Sequence, residues 1–555
     1  MKKLLIVALL LSASVFSHAQ DRYVVFFTDK NNSPFSVSAP LAYLSQRAVN
    51  RRTAQNIPVT DLDLPVNPAY VTGVLSAGAQ VLAVSKWFNT VTVSFIGTGV
   101  LNAINNLPYV QGVYHLGRMM DPGVLPPKFD LNAIRATAVS GQRTAETGSL
   151  FNYGTSFNQV HMLKGDLMHD NGYTGAGVRI AVIDAGFLNA NVMQAFDSLF
   201  ASGRILGTWD FVDGEANVYN DDWHGSMVLS CIGANVPGEI IGTAPGASFY
   251  LLRSEYAPAE NIIEEYNWAS AAEYADSAGA DIINSSLGYT VFDDPAQNHT
   301  YSDLNGNTTP VTIAADIAAS RGIIVCNSAG NEGNSSWFRI SAPADADSIL
   351  AVGAVDDQGV YAGFSGKGPS FDGRVKPDAA AQGQATIVAD PFNTTGTFPG
   401  NGTSFSSPLM AGMMATLVQC HPNATANQII TAVRQSASQA TAPDSLLGYG
   451  IPDFPLACLI LGGIDSGITA DQDQLQLDGP NPYQSALNFS FYSSAHQNIT
   501  IKMHNLLGQP VYSQSETVNG LALHHYSVGS QLAKGIYVLT VTSEKGTYSI
   551  KVVKE

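Results

Sequence analysis

Three short stretches of this sequence carry the groups needed to activate a hydroxyl. Ile183-Asp184-Ala185-Gly186 puts a carboxylate where an apolar run ends, and Trp223-His224-Gly225-Ser226 puts an imidazole at the head of a small-residue run. Asn401-Gly402-Thr403-Ser404-Phe405-Ser406-Ser407-Pro408 puts a hydroxyl ahead of an apolar helical stretch over 409–418. A serine is a poor nucleophile until a neighbouring base takes its proton. A histidine does this near neutral pH, and a buried carboxylate holds its tautomer and supports the imidazolium. A serine at a helix start also offers free backbone N–H groups and a favourable dipole to an oxyanion.

Two further stretches fit the same chemistry. Ser328-Ala329-Gly330-Asn331-Glu332-Gly333 offers the Asn331 amide as an oxyanion donor. Ser285-Ser286-Leu287-Gly288 reads as a strand end whose backbone can pair with an extended peptide. Each signal alone has a plainer reading: a strand-end cap, a structural histidine among eleven, an N-cap, a turn. In the order Asp, His, Asn, Ser they assign Asp184 as orienting acid, His224 as general base, Ser404 as nucleophile and Asn331 as oxyanion donor.

The elements around these residues alternate. Apolar runs at 178–183, 249–252, 282–284, 323–325 and 349–352 read as strands, with helical patterns at 259–278 and 312–320 between them. Near-continuous apolar strands alternating with helices predict an α/β domain, a parallel sheet covered on both faces with its site at the strands' carboxyl ends. This central domain is placed at 154–465. Before it, 20–120 reads as a small α+β module, with strands at 23–27, 81–87, 91–96 and 109–115 and helices at 41–52 and 100–107. Residues 121–153, rich in Pro, Gly, Thr and Ser, read as a flexible linker holding a processing site. From 472 to 555 short alternating runs predict a β-sandwich.

At 555 residues the chain exceeds a single core, as three modules require. The net charge of −18 argues against nucleic-acid and anionic-membrane binding. Lys2 and Lys3 followed by an apolar run to Phe16 and then Ser17-His18-Ala19 predict a signal peptide over 1–19, hence export. No run is long enough for a membrane span. None of the four cysteines shows C-x-x-C spacing, so no zinc site is expected. Cys231 and Cys326 read as buried thiols; Cys420 and Cys458 are free or paired, and the sequence leaves this open. Asp303-Leu304-Asn305-Gly306-Asn307 alternates oxygen side chains, but lacks the glycine position and late Glu of an EF-hand, and reads as a polar loop.

Over 153–461 the sequence resembles the subtilisin-like serine peptidases. Beyond the motifs above, the resemblance rests on Asn171-Gly172-Tyr173-Thr174-Gly175-Ala176-Gly177-Val178, Gly242-Thr243-Ala244-Pro245-Gly246-Ala247 and Gly448-Tyr449-Gly450-Ile451-Pro452. It implies the same four roles, with Ser286, Leu287 and Gly288 as a wall of the substrate cleft. It implies hydrolysis of protein or peptide bonds through an acyl-enzyme; the rivals are an inactive binding protein on the same fold and an esterase. Two positions depart from the family: Ala185 stands where Ser or Thr is usual, and Phe405 where Met or Ala is usual. Catalysis needs no cofactor or metal; many subtilases bind calcium structurally, and no ligand set for it is mapped here. The first module resembles the family's inhibitory propeptides in position and alternation. The last resembles sorting domains of the type IX secretion route, through Asn481-Pro482, Leu507-Gly508, Gly535-Ile536-Tyr537 and Lys551-Val552-Val553-Lys554-Glu555. The expected partners are therefore substrate proteins, the chain's own first module and the secretion machinery. The expected location is outside the cell or on its surface, by way of the periplasm, with self-cleavage between about 118 and 151.

Overall fold

The computed structural model describes residues 21–118, 128–136, 149–462 and 472–555. The expected signal peptide and two parts of the linker, 119–127 and 137–148, lie outside the described residues.

The central domain is built on seven parallel strands. Across the sheet they run Ala379–Gln382, Leu350–Val355, Ile324–Ser328, Ile282–Ser285, Arg179–Asp184, Ser248–Arg253 and Ile205–Asp210. The first of these seven strands in chain order, Arg179–Asp184, lies inside the sheet, and the order reverses beside it, which opens a crevice at the carboxyl ends. Five of the seven strands match the apolar runs; the edge strands Ile205–Asp210 and Ala379–Gln382 were not expected. One face packs on the helices His224–Gly233 and Thr403–Cys420, the other on Ile263–Ala278 and Pro310–Ser320.

The Thr403–Cys420 helix corrects one expectation: it begins at Thr403, six residues before the predicted start, and carries Pro408 inside it. The stretch is buried from Thr403 to Leu417, so burial outweighs the helix-breaking preference of the serines and proline.

The first module is a four-stranded antiparallel sheet in the order Gln80–Ser85, Thr90–Ser94, Asp21–Phe27, Val110–Arg118. The helix expected over 41–52 is Gln46–Ala54, and a second helix, Pro68–Ser76, was not expected. The module rides on the Ile263–Ala278 helix through buried charges. Arg51, Arg52 and Lys86 converge on Asp276, at 2.6, 2.9 and 2.9 Å. Glu273 accepts from Ser85 Oγ and from the backbone N–H groups of Lys86 and Trp87.

The last module has two antiparallel sheets, of three and four strands, closing on a core that includes Phe489, Phe491, Ile501 and Leu539. That is the expected sandwich; its strands include Gln474–Leu477, Ala522–Val528 and Thr547–Lys554.

Candidate active site

Asp184 ends its strand fully buried. Its Oδ1 accepts from Ala185 N at 2.8 Å and from His224 Nδ1 at 2.8 Å. This approach depends on Gly225: a Cβ there would lie 2.4 Å from Gly186 O and 2.9 Å from Asp184 Cβ. The head of the His224 helix is capped by Asp222, whose Oδ1 accepts from His224 N at 2.8 Å. His224 Nε2 and Asp184 Oδ2 are buried without a hydrogen-bond partner among the described residues. Alanine at 185 supplies a backbone donor to Asp184 but no hydroxyl. Burial alone would lower the His224 pKa; the charge and hydrogen bond of Asp184 outweigh it, and the net shift is upward.

Ser404 sits in the first turn of its helix, where its backbone N–H has no partner within the helix. Asn331 docks on this turn. Its Oδ1 accepts from Thr403 N at 2.9 Å and Thr403 Oγ1 at 3.0 Å, which leaves its NH₂ without a part in holding this turn. Between them lies Gly402 at φ 153°, where a Cβ would stand 3.7 Å from Ser404 Cβ and 3.8 Å from Asn331 Nδ2.

Pro408 has no N–H, so it cannot bond the Ser404 carbonyl four residues back. Ser286 Oγ takes that place, donating to Ser404 O at 2.9 Å. The Ser404 hydroxyl leans on Ser286 O at 3.5 Å rather than on His224. Asn284 bonds both Ser286 Oγ and Ser407 Oγ, so the end of the Ile282–Ser285 strand clamps the Thr403–Cys420 helix.

His224, Ser286, Leu287, Gly288, Asn331 and Ser404 line one cleft of about 540 Å³. Leu287 is buried and its carbonyl accepts from Asn327 Nδ2, whereas Gly288 is exposed. Glu332 and Ser341, which the sequence reading did not single out, share this cleft, and burial pushes the Glu332 carboxyl up.

The described piece of the linker crosses the same cleft. Lys128 N donates to Ala257 O at 3.0 Å, and the Phe129 ring stacks on His224 with centroids 4.1 Å apart. After a helical turn, Leu131–Ile134, Asn401 N donates to Ile134 O at 2.7 Å and Ala136 N to Pro399 O at 2.9 Å. The flexible linker predicted from composition is, over 128–136, bound along the cleft. Its partners lie far away in sequence, 127 residues for Lys128 and Glu255, beyond the reach of local patterns.

Comparison with known proteins follows the same division. A model described as the subtilase family matches residues 175–450. Subtilisin of Bacillus pumilus is 31% identical over 283 residues, which span 90% of that protein and 50% of this chain. The chain belongs to the subtilase family. Subtilisin E of Bacillus subtilis is 32% identical over 283 residues, and the match spans 65% of that protein's length. Among solved structures, MycP1 with its N-terminal propeptide removed matches at 25% identity and a TM-score of 0.43, covering 54% of this chain and 96% of that one. Residues 22–123 of this subtilase match a Peptidase S8 propeptide domain of the Bacteroidota, and 480–555 match a secretion system C-terminal sorting domain. The sorting domain marks a protein that is secreted or held at the cell surface. Among the described residues no helix is long and apolar enough to cross a membrane.

The remaining expectations are local. Cys420 and Cys458 form a disulfide, and Cys231 and Cys326 are free and buried. In the Asp303 loop, Asp303 accepts from Thr300, and Asn305 Oδ1 accepts from Asn307 N and Thr308 Oγ1, so the loop's oxygens serve its own turn.

Proposed function

We propose that this subtilase is a secreted serine endopeptidase that cleaves protein chains through an acyl-enzyme. The observation that carries the reading is the His224–Asp184 bond, which leaves Nε2 free in a cleft shared with Ser404 at a helix N-terminus. His224 takes the Ser404 proton as Oγ attacks the scissile carbonyl carbon. The oxyanion is received by Asn331 Nδ2 and Ser404 N–H. His224 passes the proton to the leaving amine as the C–N bond breaks. Water, deprotonated by the same nitrogen, then hydrolyses the ester. Asp184 holds the imidazole tautomer throughout. Of Ser286, Leu287 and Gly288, the exposed Gly288 is the one whose backbone is open to an extended peptide, which favours a peptide over a simple ester.

In the full chain Phe129 covers the imidazole, and the Ser404 hydroxyl is turned to Ser286. This is a resting state in which the first module and linker inhibit, until the enzyme cuts the linker itself and the freed module is degraded. The last module is the address read by the secretion machinery. The test is casein hydrolysis and fluorophosphonate labelling of the parent and the Ser404→Ala chain, with N-terminal sequencing of both. The parent should digest, label and lose residues up to the linker, and the variant should do none of these. Labelling without casein hydrolysis would favour an esterase. Neither activity in the parent would favour an inactive binding protein.

A further inference from the structure

Lys128 marks a second built feature of the cleft. Its ammonium is bonded to Glu255, to Glu260 at 3.0 Å and to Glu264 at 3.2 Å. The Glu255 and Glu264 side chains are 0% and 1% exposed. The cage is held by the catalytic domain itself. Glu255 accepts from Tyr289 Oη and Ser254 Oγ, and Glu264 accepts from Tyr256 N and Asn261 N. Glu260 Oε1 is buried with no partner among the described residues.

Three carboxylates within 4.8 Å of one another face a single cation. Burial pushes the Glu260 carboxyl up to about 7 and the Glu264 carboxyl well above the ordinary carboxylate range, while the surrounding glutamates hold Lys128 protonated despite its own burial. The cation belongs to the linker, which leaves if the enzyme is processed, while the carboxylates stay. The linker also lies as a bound peptide would: Lys128 pairs its backbone N–H with Ala257 O, the next residue stacks on His224, and Ile134 to Ala136 pair with the strand leading into Ser404.

We propose that Glu255, Glu260 and Glu264 form a subsite for a lysine or arginine side chain on the amino side of the scissile bond. This rests on the peptidase reading above. The guanidinium or ammonium replaces Lys128 and forms charge-assisted hydrogen bonds to preorganised carboxylates. An incoming cation draws the buried carboxyls to their charged form, and that pairing offsets its desolvation.

The test uses enzyme produced from the full chain, with EDTA present so that no divalent ion competes. Peptides carry lysine, or neutral norleucine of similar length, at each of the four positions before the cleaved bond. One position should show a lysine-over-norleucine ratio in kcat/KM of about tenfold or more, and Glu260→Gln and Glu255→Gln should each lower that ratio about tenfold. No favoured position, or a preference that both variants leave intact, would overturn the subsite. Casein hydrolysis by the same preparations tells failure of the peptidase reading from failure of the subsite. A second arm needs no turnover. In the full-length Ser404→Ala, Lys128→Ala chain, n-butylammonium should raise Tm more than n-butanol does, and the Ser404→Ala chain with Lys128 intact should show no such difference. Equal effects of the two compounds on the Lys128→Ala chain would overturn the cation site whatever the protein does to peptides.

Discussion

Removing the Ser286 hydroxyl tests how the nucleophile is held. In an unbroken helix the Ser404 carbonyl would accept from the residue-408 N–H, but proline has none, and Ser286 Oγ donates instead at 2.9 Å. Ser286 and Ser404 are both buried, so no bulk water reaches this carbonyl. Ser286→Ala therefore leaves a buried acceptor unsatisfied, at a cost of about 1–3 kcal/mol. In a Pro408→Ala background residue 408 regains its N–H and can close the helical bond itself. The cost of Ser286→Ala should then fall below about 0.5 kcal/mol, giving a coupling of about 1–2 kcal/mol between residues with no side-chain bond to each other. The assay is guanidinium unfolding of the four chains in a Ser404→Ala background, which keeps the carbonyl and prevents self-digestion. Equal costs of Ser286→Ala in the two backgrounds would refute the reasoning, because the hydroxyl would then not be standing in for the missing N–H.

Asn331→Leu should slow turnover by roughly 10²–10³ with little change in KM, read from steady-state kinetics on a peptide substrate. The upward shift of His224 places the acid limb of kcat/KM above the ordinary histidine value of 6.5, since the base must be neutral. By the same shift, the stability that protonated His224 lends is present below that value and lost as pH rises through the elevated one. Asp276→Asn leaves Arg51, Arg52 and Lys86 without their shared counter-charge. Breaking such a buried cluster costs about 3–5 kcal/mol, so casein hydrolysis should begin with a shorter lag than in the parent chain. Deleting residues 472–555 should leave active enzyme in the periplasm, measured by cell fractionation.

The sheet and the candidate site residues were legible because both are written locally. A buried parallel strand is a short apolar run, and each reacting side chain lies where such a run, or a helix, begins or ends. What escaped is what depends on distant partners. Ala379–Gln382 reads Ala-Ala-Ala-Gln, a composition that favours helix, and becomes a strand only by pairing with Leu350–Val355. Ile205–Asp210 is only partly buried and pairs on one side, so its pattern is weak. The Thr403–Cys420 helix was placed too late because its apolar run begins only at Leu409, whereas Ser286 and Asn284, more than a hundred residues earlier, supply hydrogen bonds that make a helix through Pro408 tolerable.

The cleft shows the same limit from the other side. Phe129 and Lys128 lie in a stretch whose Pro and Gly content describes a spacer, and nothing local marks either as a binding residue. The three glutamates around Lys128 carry no motif spacing and lie on a loop and the start of a helix, where acidic residues are ordinary. Only the fold brings one cation and three carboxylates together beside a histidine whose own partner is forty residues away. A reacting triad can be found from its sequence neighbours because each member must end or begin an element. A recognition pocket has no such requirement, since it asks only for charge and shape at a point in space. That is why the candidate triad of this subtilase could be proposed from its sequence, whereas the cage around Lys128 could not.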